Sequence, residues 1–306
     1  MFFLILLCLL AAVALVGALY AYRIAFFSPK EGRDELKPIK STQYDPYRPE
    51  MRRIYRQLKD RTCEFVTTKS HDGLTLYARY YHVQDGAPLD ICFHGYRSHA
   101  LTDFSGGTEL SFRMGHNVLL VDQRAHGKSE GRTIAFGLQE RQDLLRWVDY
   151  ALERFGTDVK ILLFGVSMGG ATVLMASELE LPENVKGIVA DCPYASPLEI
   201  ILHVGKSNPI PTWLMRPFVI LGAKIFGGFD LTETDARKAV ARTNVPILII
   251  HGEADQFVPA EMSDIGFCNP DKITRLTSPG AAHGISYLVD TPSYQTAVED
   301  FLRSVL

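Results

Sequence analysis

Short apolar runs alternate with amphipathic stretches along most of the chain. Residues 63–69 and 74–81 read as two strands joined by a tight turn at His71-Asp72-Gly73, where the Asp-Gly pair is a strong hairpin signal. Beyond them the pattern predicts strands at residues 89–93, 117–121, 159–164, 185–190, 246–250 and 273–276. Helical patterns fall between or after them, at 104–114, 138–154, 171–179 and 297–306. Strands this short and this continuously apolar are buried on both faces. The expectation is therefore an α/β domain with a mostly parallel eight-stranded sheet, helices on both sides and an antiparallel hairpin at its start. No internal repeat or low-complexity tract interrupts it.

Three segments depart from the alternation. Residues 1–22 carry no charged side chain, and the run 2–22 is long enough to cross a hydrocarbon core as a helix. A secretory signal would want lysine or arginine before the apolar run and a small-x-small cleavage site after it. The chain has no such basic residue, and Leu19-Tyr20-Ala21 is a poor match. Residues 1–27 therefore read as an uncleaved transmembrane anchor. Arg23, Lys30, Arg33, Lys37 and Lys40 all follow the span, which favours a single-pass protein with its catalytic domain in the cytoplasm. Residues 28–60 follow as a proline-bearing linker and a short basic helix opened by Pro49. Met51, Ile54, Tyr55 and Leu58 fall on one face of that helix, with Arg52, Arg53, Arg56 and Lys59 on the other. The basic face is either solvated or, beside an anchor, against anionic lipid. Residues 61–306 then form the main domain. Within it, residues 197–242 are too long for a simple crossover and read as a small helical cap, whose aromatics Trp213 and Phe218 are expected to bind substrate.

Composition narrows the chemistry. A net charge of −3 leaves no basic excess for nucleic acid. The five cysteines are odd in number and scattered, as reduced thiols are, and no cluster has metal-ligand spacing, so neither metal nor cofactor is expected.

The run 159–164 leads into Gly165-Val166-Ser167-Met168-Gly169-Gly170, which reads G-x-S-x-G between a strand and a helix. In that context the motif is a nucleophile elbow: a strained turn at the strand tip lifts the serine hydroxyl out, and glycines two residues to either side make the room. A serine hydroxyl needs a base, and the base needs a carboxylate to fix its tautomer. The run 246–250 leads into His251-Gly252-Glu253-Ala254-Asp255. The loop Ser278-Pro279-Gly280-Ala281-Ala282-His283-Gly284 follows the last strand. All three groups thus fall beyond strand C-termini, where parallel sheets place their sites. Asp191, at another strand end, is the rival acid. His94, His126 and His251 each precede a glycine and read as hydrogen-bonded structural residues.

With His94-Gly95-Tyr96, Asp122-Gln123-Arg124-Ala125-His126-Gly127-Lys128-Ser129, the elbow and the two loops above, residues 60–306 resemble the serine-hydrolase branch of the α/β-hydrolase superfamily, near its membrane-anchored bacterial members. The resemblance implies Ser167 as nucleophile, Asp255 as acid and His283 as base. Geometry makes the N–H of Met168 one oxyanion donor, and family likeness gives Tyr96 as the other. One departure is Ala125, where many relatives have glycine. Cleavage of a small-molecule ester or acyl substrate through an acyl-enzyme is the leading expectation. Thioester or lipid cleavage, a peptidase, and a non-catalytic binding protein on the same scaffold are the alternatives.

Overall fold

A computed structural model of the protein describes residues 1–29, 41–207 and 209–306. Of the linker expected over residues 28–47, residues 30–40 lie outside the described residues. The chain opens with helix α1 (Phe2–Ala21), extended by a π-helical turn over Tyr22–Phe26. A 3₁₀ turn (Thr42–Tyr47) and helix α2 (Arg48–Asp60) lead into strands β1 (Glu64–Lys69), β2 (Thr75–Tyr81) and β3 (Leu89–Phe93). Next come α3 (Ala100–Asp103), α4 (Gly107–Arg113), β4 (Asn117–Asp122), α5 (Glu140–Phe155), β5 (Ile161–Val166), α6 (Met168–Ala176) and β6 (Val185–Asp191). An insertion of α7 (Pro197–Gly205), α8 (Thr212–Gly222) and α9 (Ala236–Val240) precedes β7 (Ile247–Gly252) and β8 (Ile273–Ser278). The chain closes with α10 (Ser286–Val289) and α11 (Thr291–Val305). The helix expected over 104–114 is α4 alone, starting at Gly107, and the short α3 before it was not foreseen.

One sheet holds all eight strands, in the order β1-β2-β4-β3-β5-β6-β7-β8. Strand β2 runs antiparallel to both neighbours and every other pairing is parallel. Period-2 alternation splits the strands' side chains between two cores. Ile91, Leu119, Leu163, Ile188 and Ile249 pack with α5 and α6 on one face. On the other face, Cys92 and Leu120 pack with α2 and α3, and Leu162, Val189 and Leu248 pack with α4 and α11. Burial on both sides is why these strands read as unbroken apolar runs.

Two further packings matter for the site. Helix α2 buries Ile54, Tyr55 and Leu58, so its apolar stripe is spent on the domain while Arg53 pairs with Glu50 on the outer face. Helix α1 is the one described helix long and apolar enough to cross a membrane, and it exposes nearly all of its side chains except where it runs beside α8. Its π-helical end turns into the domain, where Phe26 is fully buried between Phe136 and Phe229.

Candidate active site

Ser167 stands between β5 and α6 with φ 55° and ψ −114°, a conformation L-residues rarely adopt. Close backbone approach holds it there. A Cβ on Gly169 would lie 1.7 Å from the carbonyl oxygen of Phe93, and one on Gly165 would lie 2.2 Å from that of Gly169. The Ser167 N–H donates to the Asp191 carbonyl at 2.8 Å, which ties the elbow to the end of β6. Strain is concentrated along this edge. Arg97, Ala125, Phe136 and Cys192 share positive φ with Ser167, and each lies in a loop or turn near a strand's carboxyl end. At φ 64° Ala125 occupies a backbone region that glycine enters freely, so the glycine that the family resemblance expects at this position would sit there without strain.

The two loops foreseen as partners converge on the hydroxyl. Nε2 of His283 lies 2.9 Å from Ser167 Oγ, and its Nδ1 lies 2.7 Å from Asp255 Oδ2. The loops are stitched to each other by Glu253 N–H to Ser278 O and Ala254 N–H to Ala281 O, both at 3.0 Å. Oδ1 of Asp255 accepts the backbone N–H groups of Phe257 and Val258 at 2.9 Å. Burial opposes the charge on Asp255, but the hydrogen bonds from His251 and His283 win and hold the carboxyl well below the usual carboxylate range. An ionised Asp255 places the imidazole proton on Nδ1 and leaves Nε2 free to accept from the serine.

The rival acid sits elsewhere. Asp191 is buried behind the elbow beside Tyr294, away from the imidazole proton. Burial pushes it up to about 6, partly offset by His251 and the Tyr294 hydroxyl. Its Oδ1 has no hydrogen-bond partner among the described residues. The thiol of Cys192 comes within 3.9 Å of His283 Nε2, but burial raises it well above its ordinary range, so it is a neutral neighbour rather than a competing nucleophile.

A loop after β3 faces the serine from the other side. Asp103 accepts the Gly95 N–H at 2.6 Å and the Ser98 hydroxyl at 2.6 Å, fixing the loop so that Gly95 lies against Ser167. The N–H groups of Tyr96 and Met168 have no acceptor among the described residues. His94 and His126 brace the loop from behind. Nε2 of His94 accepts the Gln123 N–H and Nε2 of His126 accepts the Arg97 N–H, so each ring carries its proton on Nδ1, which donates to a carbonyl. Burial lowers both rings, His94 to about 4, and they stay neutral. His251 is likewise fixed, with Nε2 2.8 Å from the Val258 carbonyl.

In front of Ser167 opens a cavity of about 470 Å³, bordered by Tyr96, Phe257, His283 and Ile285, and by Gln43, Tyr44 and Met51. The last three overturn an expectation. Trp213 and Phe218 do not line this cavity: Trp213 is three-quarters exposed, and the Phe218 ring packs on Gly17 of α1. The insertion leans on the N-terminal helix, and the roof of the site is instead the stretch from Ser41 to Met51. Tyr44 donates to the His283 carbonyl at 2.8 Å and Gln43 to the Ala254 carbonyl at 3.1 Å, so this segment clamps both loops. Tyrosines 44 and 47 and Met51, apolar bulk in an otherwise polar stretch, are the signal that could have revealed it.

Comparison with known proteins agrees with the architecture. A family model described as alpha/beta hydrolase fold matches residues 91–232. The chain is 24% identical over 304 residues to the uncharacterized protein YqkD of Bacillus subtilis, covering 97% of this chain and 95% of that one. It is 31% identical over 133 residues to the thiohydrolase aneE of Aspergillus aculeatus, covering 42% and 40%. Among solved structures it is similar to the Pyrococcus furiosus esterase Pf2001, with a TM-score of 0.67 and 22% identity over 82% of this chain and 93% of that one.

Proposed function

We propose that this chain, whose architecture is that of the α/β hydrolases, is a membrane-anchored serine hydrolase that cleaves carboxylic esters of small molecules. The observation that carries this reading is the continuous relay from Ser167 Oγ through His283 to Asp255, at 2.9 Å and 2.7 Å. Ser167 Oγ attacks the acyl carbon while His283 Nε2 takes its proton. The tetrahedral oxyanion is met by the backbone N–H groups of Met168 and Tyr96. On collapse the imidazolium gives that proton to the departing alcohol, and a stable acyl-enzyme remains. Water then adds by the same route, its proton returning through His283 to Ser167 as the acid leaves. Asp255 stays ionised throughout and balances the imidazolium.

In the same reading residues 1–27 form the anchor in the cell membrane, and residues 61–306 are the catalytic domain. The basic residues after the span support a cytoplasmic side for that domain in this reading. Thioester cleavage is the second reading, drawn from the thiohydrolase relative.

A fluorophosphonate probe tests the chemistry. Mass spectrometry of the folded full-length protein should find the adduct on Ser167, and Ser167→Ala should lose both label and turnover, by about 10⁴-fold or more. No adduct on Ser167 in folded protein would sink the proposal. Turnover of p-nitrophenyl esters, acyl thioesters and aminoacyl nitroanilides, run side by side, separates ester from thioester and amide preference.

A further inference from the structure

We propose that the α7–α8 hairpin is a second membrane-embedded element, with its tip, residues 209–214, immersed in a lipid bilayer beside α1. The proposal rests on α1 being the anchor and extends it to a surface 200 residues further along the chain.

The register of the two helices sets the depth. The ring of Phe218 fills the space a Cβ on Gly17 would need, at 2.5 Å. Gly222 lies against the Ala18 carbonyl and the Tyr22 nitrogen, and the rings of Tyr22 and Phe226 are 5.9 Å apart. The partners 17 with 218, 18 with 222, and 22 with 226 rise together, so α8 and α1 lie side by side and point the same way. Close approach through Gly17, Ala18 and Gly222 is the small-residue contact that helices use in lipid. At about 1.5 Å per residue, Trp213 stands about 20 Å from the Phe226 end along this shared axis, well down the length of the span.

What this places there is apolar and open. Val204, Ile210, Trp213 and Leu214 are all exposed, with Trp213 at 75%, on a hairpin whose α8 packs along α1, itself bare at Leu9, Leu10, Val13 and Val16. Exposed apolar surface on this scale marks an interaction site. Its continuity with a membrane-length helix identifies lipid as the occupant. Charge agrees. Between residues 200 and 229 there is no aspartate or glutamate, while Lys206, Arg216 and Lys224 are all exposed. Lys224, two residues before Phe226, stands at the headgroup end of the shared axis, where anionic lipid would meet it.

The protein has two tryptophans, and Trp147 is fully buried. Full-length Trp147→Phe protein, reconstituted in phosphatidylcholine–phosphatidylglycerol vesicles, makes Trp213 the sole reporter. Phospholipids brominated on the acyl chain should quench at least about half of its emission, and aqueous iodide should quench little. Iodide quenching without bromolipid quenching overturns the proposal. Protection from both also overturns it, in favour of a second copy or another protein on this face. Extraction at alkaline pH, run on the same vesicles, reports on α1 alone: a protein retained there but quenched by iodide leaves the anchor standing and removes only the hairpin. If Trp147→Phe fails to fold, the difference between wild type and Trp213→Phe reads the same residue.

Discussion

The phenol of Tyr96 donates to the carbonyl of Ala25 at 2.7 Å. One residue therefore borders the cavity in front of Ser167 and fastens its side chain to the turn that ends the N-terminal helix. Arg97 adds bonds to the carbonyls of Ile24 and Phe27 at 2.9 and 2.8 Å. The phenol is engaged away from the cavity, and burial pushes it up to about 12, so it is a neutral donor at working pH. Tyr96→Phe should therefore cost about 1 kcal/mol of stability, a fall of about 2–4 °C in Tm for a domain of this size. Its kcat on a short p-nitrophenyl ester should stay within about twofold of wild type. A collapse of kcat with Tm unchanged would mean that the hydroxyl meets the reacting atoms.

Tyr44 makes the opposite prediction, because its hydroxyl holds the residue that carries the base. Tyr44→Phe removes a bond worth about 0.5–1.5 kcal/mol, and its loss should be felt in the orientation of His283. Steady-state kinetics should show kcat lowered about 2–10-fold with KM little changed. A KM effect alone would make Tyr44 a wall of the cavity and nothing more.

Gly169→Ala should not give folded protein. The added Cβ would meet backbone at 1.7 Å, and no side-chain rotation relieves that contact. Soluble yield and circular dichroism read the outcome. A folded Gly169→Ala protein would show that the elbow has slack.

Asp191 supplies a pH dependence with a definite sign. Its folded value of about 6 lies above the ordinary 3.8 of an aspartate, mainly through burial. Between those values the folded state binds more protons than the unfolded one, so stability falls as pH rises through the window from about 4 to about 6. Fixing the charge above it costs on the order of 2–3 kcal/mol. Asp191→Asn should raise Tm at pH 8, and its advantage should vanish near pH 4. An equal effect at both pH values would assign it to packing instead.

Much of this was legible in the residues because it is local. Each buried strand is a continuous apolar run. Ser167 announces itself by the glycines that its backbone requires, and the loops of Asp255 and His283 follow strand-length runs. Neighbourhood is a different matter. Nothing in residues 117–122 says that β4 inserts between β2 and β3, because strand order is decided by which faces the crossover helices cover. The same gap misplaced Trp213 and Phe218. Aromatic residues on a helix declare that they will be covered, but not by what. Here Phe218 meets Gly17, a residue that side-chain patterning reads only as part of a span. The roof was missed for the converse reason: residues 41–47 look like the end of a proline-marked tether and Met51 like part of a helix's apolar stripe, and only the bulk of Tyr44, Tyr47 and Met51 betrays that they close over the site.

The three groups of the proposed triad follow β5, β7 and β8 in that order, so they leave the ribosome one after another. A growing chain shows its strained serine before any carboxylate exists to orient a base, and it acquires the base last. Until then the hydroxyl keeps its proton and the nascent polypeptide is chemically silent, free to settle its N-terminal helix before it can attack anything nearby.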